Sequence, residues 1–291
     1  MKVLITGCNG QVGRCLVDQF NLSADLLAVD RSQLDITNKS AVDKLVDAFK
    51  PDVIMNAAAY TAVDKAEDEI DLSYAINRDG PKFLAEAAER NNALIIHIST
   101  DYVFSGDKKG SYCEEDPTAP QGVYGASKLA GEQAVIAACS RHIILRTAWV
   151  FGEYGHNFVK TMLRLAKTRD TLGVVGDQFG GPTYAGDIAS ALITIAKSIC
   201  VGNNSKYGIY HFSGLPHVSW SQFAQCIFDE AVQQKVIAQA PVVNSITTLD
   251  YPTPAKRPAN SKLDTTLIND KFGLQASDWK KALNNIKAYT N

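Results

Sequence analysis

The sequence predicts an α/β fold in which a doubly wound parallel sheet is joined to a smaller C-terminal α/β lobe. Through the first half of the 291 residues, short and continuously apolar runs alternate with helical patterns, and this alternation loosens after about residue 148. Continuous apolar runs are typical of strands buried on both faces, and helices of this length between them connect parallel strands. The predicted strands lie at 3–5, 26–29, 53–55, 94–98 and 143–145.

The helical patterns lie between those strands, near 11–20, 39–49, 71–91 and 122–140. Glycine and proline cluster at 173–186, and a second group of prolines lies at 252–258, which indicates loops beside a rigid scaffold. A helix at about 186–200 and a strand at 208–212 are predicted to return to the sheet. The remainder is predicted to end in a helix near 277–289.

The composition excludes several classes of protein. Hydrophobic residues make up 46% and charged residues 21%, and 29 basic against 31 acidic residues leave a net charge of -2. A chain so close to neutrality has no general attraction to nucleic acid or anionic lipid. Six scattered cysteines indicate reduced thiols, and the chain begins on a strand-like run without a leader or a stretch long enough to span a bilayer. A cytoplasmic protein without a nucleic-acid or membrane partner is expected.

A glycine motif follows the first predicted strand and opens the first helix. Gly7, Gly10 and Gly13 have the spacing G-x-x-G-x-x-G. Glycine allows a tight turn and a close approach of the backbone to a pyrophosphate, which the N–H groups at the helix start can bind. The motif predicts a Rossmann-type dinucleotide-binding domain of residues 1–148 plus about 184–213, with about 149–183 and 214–291 as the substrate-binding lobe.

Two adjacent residues after the second strand give opposite indications about the cofactor. Asp30 lies 17 residues after Gly13, where an acid can accept hydrogen bonds from the adenosine ribose of NADH. Arg31 can pair with the 2′-phosphate of NADPH. The sequence therefore leaves NADPH and NADH both open.

A candidate catalytic constellation comes from two neighbouring segments. Tyr124 and Lys128 are four residues apart on a predicted helix and so share one face, and Thr100 ends the fourth predicted strand, at the sheet edge where ligands bind. Reduction of a ketone needs a proton at the developing alkoxide. Tyr124 can donate it, the ammonium of Lys128 is expected to lower the pKa of Tyr124 and to hold the nicotinamide ribose, and Thr100 can orient the carbonyl.

Longer segments make the chain resemble a known family. They include LDIT at 34–37, NAAAYTAVDKAE at 56–67, ISTDYVF at 98–104, RTAWVF at 146–151 and KRP at 256–258. With the glycine motif and the Thr–Tyr–Lys triad, they resemble the extended short-chain dehydrogenase/reductases and, within these, the dTDP-4-dehydrorhamnose reductases. The resemblance implies reduction of the C4 ketone of dTDP-4-dehydro-6-deoxy-L-mannose to dTDP-L-rhamnose with NADPH or NADH, in polysaccharide biosynthesis.

The resemblance also assigns roles to individual residues. Thr100, Tyr124 and Lys128 would form the triad, with Tyr124 as the proton donor. By the resemblance, the cofactor would contact the glycine turn and the ends of the second and third strands, at Gly10, Gln11, Val12, Asp30, Asp35, Ile36, Ala59, Tyr60 and Thr61. The glycine spacing, the cation after the second strand and the triad add Gly7, Gly13, Arg31, Tyr124 and Lys128 to the predicted cofactor contacts. Asp101 and Trp149 would contact the sugar nucleotide.

Three other features bear on ligands. Arg257 follows a proline-rich loop, and its guanidinium is suited to the diphosphate of the substrate. The charged run 64–67 is interpreted as a solvated helix start. Some family members are dimers bridged by magnesium through an acid in the first helix, where this chain has Arg14 and Cys15. No metal site is therefore expected, and the chain is a monomer or a homodimer.

Two alternatives stay open at this point. One is another nucleotide-sugar epimerase, dehydratase or reductase on the same scaffold, and an epimerase would show no net oxidation of the cofactor. The other is a non-catalytic regulatory subunit with a reductase-like fold, against which the intact triad argues.

Overall fold

A computed structural model describes residues 1–20, 25–202 and 206–290. Residues 21–24 and 203–205 of the predicted dinucleotide-binding domain and residue 291 of the predicted lobe lie outside this description. The strands are β1 (Lys2–Thr6), β2 (Asp25–Val29), β3 (Val53–Asn56), β4 (Leu94–Thr100), β5 (His142–Thr147), β6 (Val150–Phe151), β7 (Thr171–Val175), β8 (Phe179–Gly180), β9 (Thr183–Tyr184), β10 (Gly208–His211), β11 (Val218–Ser219), β12 (Val242–Ile246) and β13 (Asn260–Ser261). The helices are α1 (Gln11–Phe20), α2 (Lys39–Phe49), α3 (Val63–Ala66), α4 (Ile70–Tyr74), α5 (Gly80–Arg90), α6 (Val123–Ala138), α7 (Phe158–Ala166), α8 (Ala185–Gly202), α9 (Trp220–Gln233), α10 (Thr266–Phe272) and α11 (Trp279–Leu283).

Within the described residues, six strands form the central sheet in the order β10-β5-β4-β3-β1-β2. Every neighbouring pair in it is parallel. The chain adds β2 on one side of β1 and then returns to add β3 on the other side, so the winding direction reverses beside β1. In doubly wound sheets this reversal opens a ligand crevice at the carboxyl ends of the strands. The predicted fold class is confirmed.

Both faces of the sheet are buried, which explains the continuously apolar strands. Val3 and Ile5 pack in one core with residues of α1 and α8, such as Leu16 and Ile188. Leu4, between them in sequence, points to the opposite face and packs in a second core with residues of α2, α5 and α6. Alternate side chains of one strand thus enter different cores, so each strand needs apolar residues at consecutive positions.

The smaller lobe has a core of its own, built around α7, α9 and α11. Phe151, Phe223, Phe228 and Trp279 are fully buried in it. Ile268 of α10 differs from this pattern, because it is buried in the core that α8 shares with the main sheet. The predicted division places all of 214–291 in the lobe, whereas the packing attaches α10 to the sheet.

Two predicted helices are interrupted. The region 71–91 is α4 and α5 joined by a π-helical turn, Ala75–Asp79. Within that turn the side chain of Asn77 binds the backbone of Tyr60 and the hydroxyl of Ser127, so tertiary hydrogen bonds stabilise the irregular turn. The predicted helix at 277–289 is α11 followed by a 3-10 segment, Ile286–Thr290.

No helix in the described parts of the chain combines the length and hydropathy needed to cross a membrane. All six cysteines fall in those parts, and each is a free thiol.

Candidate active site

The glycine turn lies between β1 and α1, beside the point where the sheet reverses its winding. Gly7 has a φ of +71°, and a Cβ there would lie 2.6 Å from the backbone nitrogen of Ala58, in the loop after β3. A Cβ on Gly13 would lie 2.1 Å from the carbonyl oxygen of Gly7. Gly10 is exposed. The turn therefore requires glycine at two positions for packing and leaves the third open at a helix N-terminus, which suits a pyrophosphate.

The two residues that follow Gly10 differ in exposure. Gln11 is partly buried, and its side-chain oxygen accepts a hydrogen bond of 3.2 Å from Asn157. Val12 is buried in the core beneath the turn. At position 12, the backbone is therefore suited to contact a pyrophosphate, and the side chain is not.

Asp30 and Arg31 point to different uses. Both carboxylate oxygens of Asp30 accept hydrogen bonds from nearby groups, Oδ2 from Asn9 at 2.7 Å and Oδ1 from the hydroxyl of Ser32 at 2.6 Å. These bonds, the Ser32 ones above all, lower the pKa of Asp30. Arg31 is exposed, and its charge contributes to lowering the pKa of Asp35. Asp30 therefore stabilises its own turn, while the guanidinium of Arg31 is accessible to an anion.

The other predicted adenosine contacts lie in the same loop. Hydrogen bonds from the hydroxyl and backbone of Thr37 are the main cause of the lowered pKa of Asp35. Ile36 is buried, and a Cβ on Gly80 would lie 2.6 Å from its side chain. Ile36 thus packs in the core beneath this loop.

The segment after β3 presents mainly backbone to the crevice. The N–H of Tyr60 donates to Asn77 at 2.8 Å, and the phenol donates to Glu69 at 2.7 Å, which raises the pKa of Tyr60 to about 12. Thr61 is exposed and Ala59 is partly buried. A cofactor contact at 59–61 would therefore not use the phenol of Tyr60.

Thr100 and Tyr124 come together where β4 ends and α6 begins. The Thr100 hydroxyl donates to Asp101 at 3.0 Å, and its interaction with the Tyr124 hydroxyl lowers the pKa of Tyr124. Burial outweighs this effect, so the pKa of Tyr124 lies above its ordinary value. The expectation that Lys128 lowers this pKa is not met in this geometry, because the Nζ of Lys128 is bonded elsewhere.

Lys128 is almost fully buried, with 2% of its surface exposed. Its Nζ donates to the carbonyl oxygen of Ile98 at 2.6 Å and lies 3.3 Å from Nε2 of His97. Burial lowers the pKa of Lys128 to about 8, and the charge of Glu132, one helical turn further on, opposes that shift. Glu132 itself forms a buried, two-point ion pair with Arg146 of β5 at 2.9 and 2.7 Å.

A cavity of about 380 Å³ adjoins this constellation. The ring of Tyr102 contacts that of Tyr124 edge to face at 5.4 Å, and Tyr102 also lines the cavity. Trp149 has a φ of +50° and stacks on Trp220 with ring centroids 3.4 Å apart. A bulky residue in the left-handed region is uncommon and is found where the surrounding structure demands it. The two indoles form one flat apolar wall of the cavity.

Arg257 lines the same cavity and is held by two partners. Nη2 forms an ion pair with Asp64 at 2.7 Å, and Nη1 donates to the Tyr102 hydroxyl at 3.5 Å. Asp64 lies in the first turn of α3 with 40% of its side chain exposed, as the interpretation of 64–67 as a solvated helix start predicts, but it also pairs with Arg257. Glu67 accepts a hydrogen bond of 2.9 Å from the N–H of Val123 at the start of α6. Asp64 and Glu67 both come shortly after β3, beyond the carboxyl end of that strand. Their spacing along the chain did not indicate their contacts with Arg257 and Val123.

Comparison with known proteins places the chain in a family. The sequence model described as "RmlD substrate binding domain" matches residues 1–290. The chain belongs to this family. A dTDP-4-dehydrorhamnose reductase of Aggregatibacter actinomycetemcomitans is 60% identical over 99% of each chain, and one of Sinorhizobium fredii is 45% identical over 97% of this chain and 95% of its own.

A solved structure agrees with this placement. The dTDP-4-dehydrorhamnose reductase of Bacillus anthracis, in complex with NADP, is 39% identical and has a TM-score of 0.91, with 99% of each chain covered.

In this member of the RmlD family, Asp101 combines burial with an unmatched oxygen. It is 4% exposed, and its Oδ2 has no hydrogen-bond partner among the described residues. Burial raises the pKa of Asp101 to about 6, against the opposing effect of the Ser261 and Thr100 hydroxyls. An unsatisfied buried oxygen is costly and calls for a partner. A hydroxyl of a bound ligand is a suitable one, since Ser261 lines the cavity.

Only the family resemblance links the first helix to magnesium, and the side chains of this helix make other contacts. The guanidinium of Arg14 lies over the ring of Tyr154 at 5.5 Å, and the Tyr154 hydroxyl donates to Asp18 at 2.7 Å. Across the described ranges, no group of three or more His, Cys, Asp or Glu side chains is arranged to hold a metal ion.

Sequence reasoning missed several residues of this site. Tyr102 lies in the segment 98–104, which contributes to the family resemblance. Its position directly after Thr100 and Asp101 could have identified it as a site residue. Trp220 and His97 had no such signal. Trp220 comes from α9, far along the chain from Trp149, and His97 lies inside a predicted buried strand.

Proposed function

We propose that this chain is an NADPH- or NADH-dependent oxidoreductase that reduces the C4 ketone of dTDP-4-dehydro-6-deoxy-L-mannose to dTDP-L-rhamnose. The observation that carries the proposal is that Tyr124 interacts with Thr100 and contacts the ring of Tyr102, which lines the cavity of Trp149; Lys128 follows Tyr124 by one turn of α6. The extensive identity to dTDP-4-dehydrorhamnose reductases supports this substrate.

The three side chains supply distinct parts of the reaction. When bound, the reduced nicotinamide supplies a hydride to the ketone carbon. The C=O electron pair moves to oxygen, which takes the proton of the Tyr124 hydroxyl and becomes the C4 alcohol. A buried Tyr124 with a raised pKa stays protonated at neutral pH and is available as this acid. Thr100 orients the carbonyl, and its hydroxyl stabilises the phenolate that Tyr124 becomes, while Lys128 would hold the nicotinamide ribose.

The cofactor and the dTDP-sugar are assigned to different sets of residues around Thr100, Tyr124 and Lys128. The backbone of Gly7, Gly10, Gln11, Val12 and Gly13 would hold the pyrophosphate, because a helix N-terminus presents unpaired N–H groups there. Residues of the loops after β2 and β3 would surround the rest of the cofactor, namely Asp30, Arg31, Asp35, Ile36, Ala59, Tyr60 and Thr61. Asp101, Trp149 and Arg257 would hold the dTDP-sugar. The cytoplasmic location and the oligomeric state, monomer or homodimer, stay predictions.

The decisive experiment measures cofactor consumption. The enzyme is incubated with NADPH and dTDP-6-deoxy-L-lyxo-4-hexulose, and the absorbance of the reduced cofactor is expected to fall as dTDP-L-rhamnose forms in equal amount. An epimerase would convert the sugar without net consumption. No fall in absorbance and no product would contradict the proposal.

A substitution tests the proton donor. Tyr124→Phe is expected to lower kcat by at least about 100-fold, the usual contribution of a positioned acid, because no other group replaces the lost proton. The Kd for NADPH, measured by fluorescence, is expected to stay within about twofold. Tyr207→Phe, at the edge of the main core, is the matched control. A Tyr124→Phe enzyme with normal kcat would remove Tyr124 from the mechanism.

A further inference from the structure

A buried chain of hydrogen bonds leads from Lys128 away from the cavity, and the proposed function gives it no role. The Nζ of Lys128 lies 3.3 Å from Nε2 of His97, and Nδ1 of His97 lies 2.9 Å from the side-chain nitrogen of Asn56. The Asn56 oxygen accepts in turn from the hydroxyl of Thr6 at 2.7 Å. His97, Asn56 and Thr6 are each at most 1% exposed.

The backbone N–H of Ala58 determines which atoms donate and which accept in this series of hydrogen bonds. The N–H of Ala58 donates to Oδ1 of Asn56 at 3.1 Å, and a backbone N–H can only donate. Oδ1 must therefore face Ala58, and Nδ2 must face His97. Because Nδ2 is also a donor, Nδ1 of His97 has to accept and carries no proton.

The proton of His97 is consequently on Nε2, next to Lys128. Complete burial, together with the charge of Lys128, lowers the pKa of His97 well below its ordinary value, so the ring is neutral. A neutral imidazole without a proton on Nδ1 has one on Nε2. An ammonium has only donors and cannot accept this N–H, whereas a neutral amine can. The carbonyl of Ile98 accepts from Lys128 in both states.

Burial and the charge of Glu132 act on the pKa of Lys128 in opposite directions. Tyr124 and Glu132 lie on α6 one turn to either side, and Glu132 favours the ammonium although Arg146 of β5 pairs with it. Asp101, directly after β4, is protonated more readily than usual because of burial, and its charge raises the pKa of Tyr124. Burial and the His97 N–H favour the amine. Burial, opposed by Glu132, lowers the pKa of Lys128 to about 8.

We propose that His97 is a positioning residue that donates its Nε2–H to Lys128 and stabilises the lysine as a neutral amine. The proposal rests on the proposed function in one respect. After Tyr124 has given its proton to the substrate, an N–H bond of the Lys128 ammonium breaks and the O–H bond of Tyr124 forms again, directly or through a bridging hydroxyl. His97 lowers the cost of the amine that remains until solvent returns the proton.

The first test reads the tautomer of His97 in the wild-type protein without substrate. A long-range ¹H–¹⁵N NMR spectrum distinguishes a proton on Nε2 from one on Nδ1. We expect Nε2–H across the neutral range. A proton on Nδ1, or on both nitrogens, would overturn the proposal.

The second test measures the titration of Lys128 itself, by NMR of ¹³Cε-labelled lysine. His97→Phe removes the N–H at similar volume, and we expect the pKa of Lys128 to rise by about one unit, a tenfold change in proton affinity. His97→Gln can accept from Asn56 and donate to Lys128, so it should restore most of the wild-type value. His142→Gln, at the start of β5, is the control and should leave the titration unchanged.

The activity then gives a separate readout. In the reductase assay, the fall of kcat above about pH 8 should move to higher pH in His97→Phe, while the KM for NADPH stays within about twofold. An unchanged Lys128 titration in folded His97→Phe would overturn the proposal, and if that variant does not fold, the tautomer decides. The titration needs no substrate, so a protein that lacked reductase activity but showed the shift would contradict only the proposed function.

Discussion

At the residue scale, Asp30 and Arg31 are neighbours in sequence but differ in what they can bind. The oxygens of Asp30 are engaged by Asn9 and Ser32, which hold the turn after β2. Arg31 is exposed, so binding an anion would cost it little desolvation. The choice between NADPH and NADH that the sequence leaves open therefore depends on whether the guanidinium of Arg31 binds the 2′-phosphate.

Arg31→Ala is expected to raise the KM for NADPH about tenfold and to leave the KM for NADH nearly unchanged. A hydrogen bond to a charged group contributes about 1.5 kcal/mol or more, and only NADPH has the 2′-phosphate. Steady-state kinetics with both cofactors measures this ratio. Arg169→Ala, an exposed arginine next to β7, serves as the control. An equal change for both cofactors would show that Arg31 does not recognise the phosphate.

The sequence predicts the residues of the triad better than their properties. Tyr124 and Lys128 could be found because their spacing places them on one helix face, and Thr100 because it ends a strand. The pKa of Tyr124 could not, since it depends on burial. Lys128 bonds to Ile98 and His97 of β4, and no local pattern indicates those partners.

At the element scale, α6 depends on neighbours for both its start and its packing. Its N-cap residue, Gly122, has no side chain to cap the helix, and Glu67, at the end of α3, accepts the N–H of Val123 instead. Further along, a Cβ on Gly131 would lie 2.0 Å from the carbonyl oxygen of Asn77 in the π-helical turn. Helix α6, which carries Tyr124, therefore lies in backbone contact with the π-helical turn, and Asn77 of that turn binds the backbone of Tyr60.

Gly131→Ala is expected to destabilise the protein by about 2 kcal/mol, the usual cost of overpacking a buried contact. The added methyl group meets backbone that Asn77 anchors to Tyr60 and Ser127, so it cannot be accommodated by a side-chain rotation.

Calorimetry should show a Tm lower by roughly 4 to 8 °C. Gln133→Ala, exposed on the same helix, should change the Tm little. A Gly131→Ala protein as stable as the wild type would mean that α6 can move away from the π-helical turn at no cost.

At the scale of the whole molecule, an ion pair joins the C-terminal segment to α3, which follows the carboxyl end of β3. Arg257 pairs with Asp64, which also accepts a 3.3 Å hydrogen bond from the N–H of Ala255. Arg257 is partly exposed and lines the cavity with Trp149. Asp64 thus orients the guanidinium that is proposed to bind the sugar nucleotide, although it lies in the other half of the chain.

A double-mutant cycle tests this connection. Asp64→Ala and Arg257→Ala are each expected to raise the KM for the dTDP-sugar about five- to tenfold, because one removes the orienting carboxylate and the other the cation. Together they should raise it by much less than the product of the two. The Kd for NADPH should be unchanged.

The control is Glu86→Gln, which removes a comparable exposed ion pair with Lys39 between α5 and α2. It should not alter the KM for the dTDP-sugar. Multiplicative effects of Asp64→Ala and Arg257→Ala would show that the two residues act independently.

The sequence by itself determined the doubly wound sheet, the glycine turn and the Tyr124–Lys128 pair. Each of these is indicated by short-range periodicity or spacing, which can be recognised without knowing the contacts between distant residues. The tertiary structure alone decided the partners of Lys128, the pairing of Arg257 with Asp64 and the stacking of Trp149 on Trp220. Those contacts join residues far apart in sequence, and burial and electrostatic interactions, which set their energies and pKa values, exist only once the chain has folded.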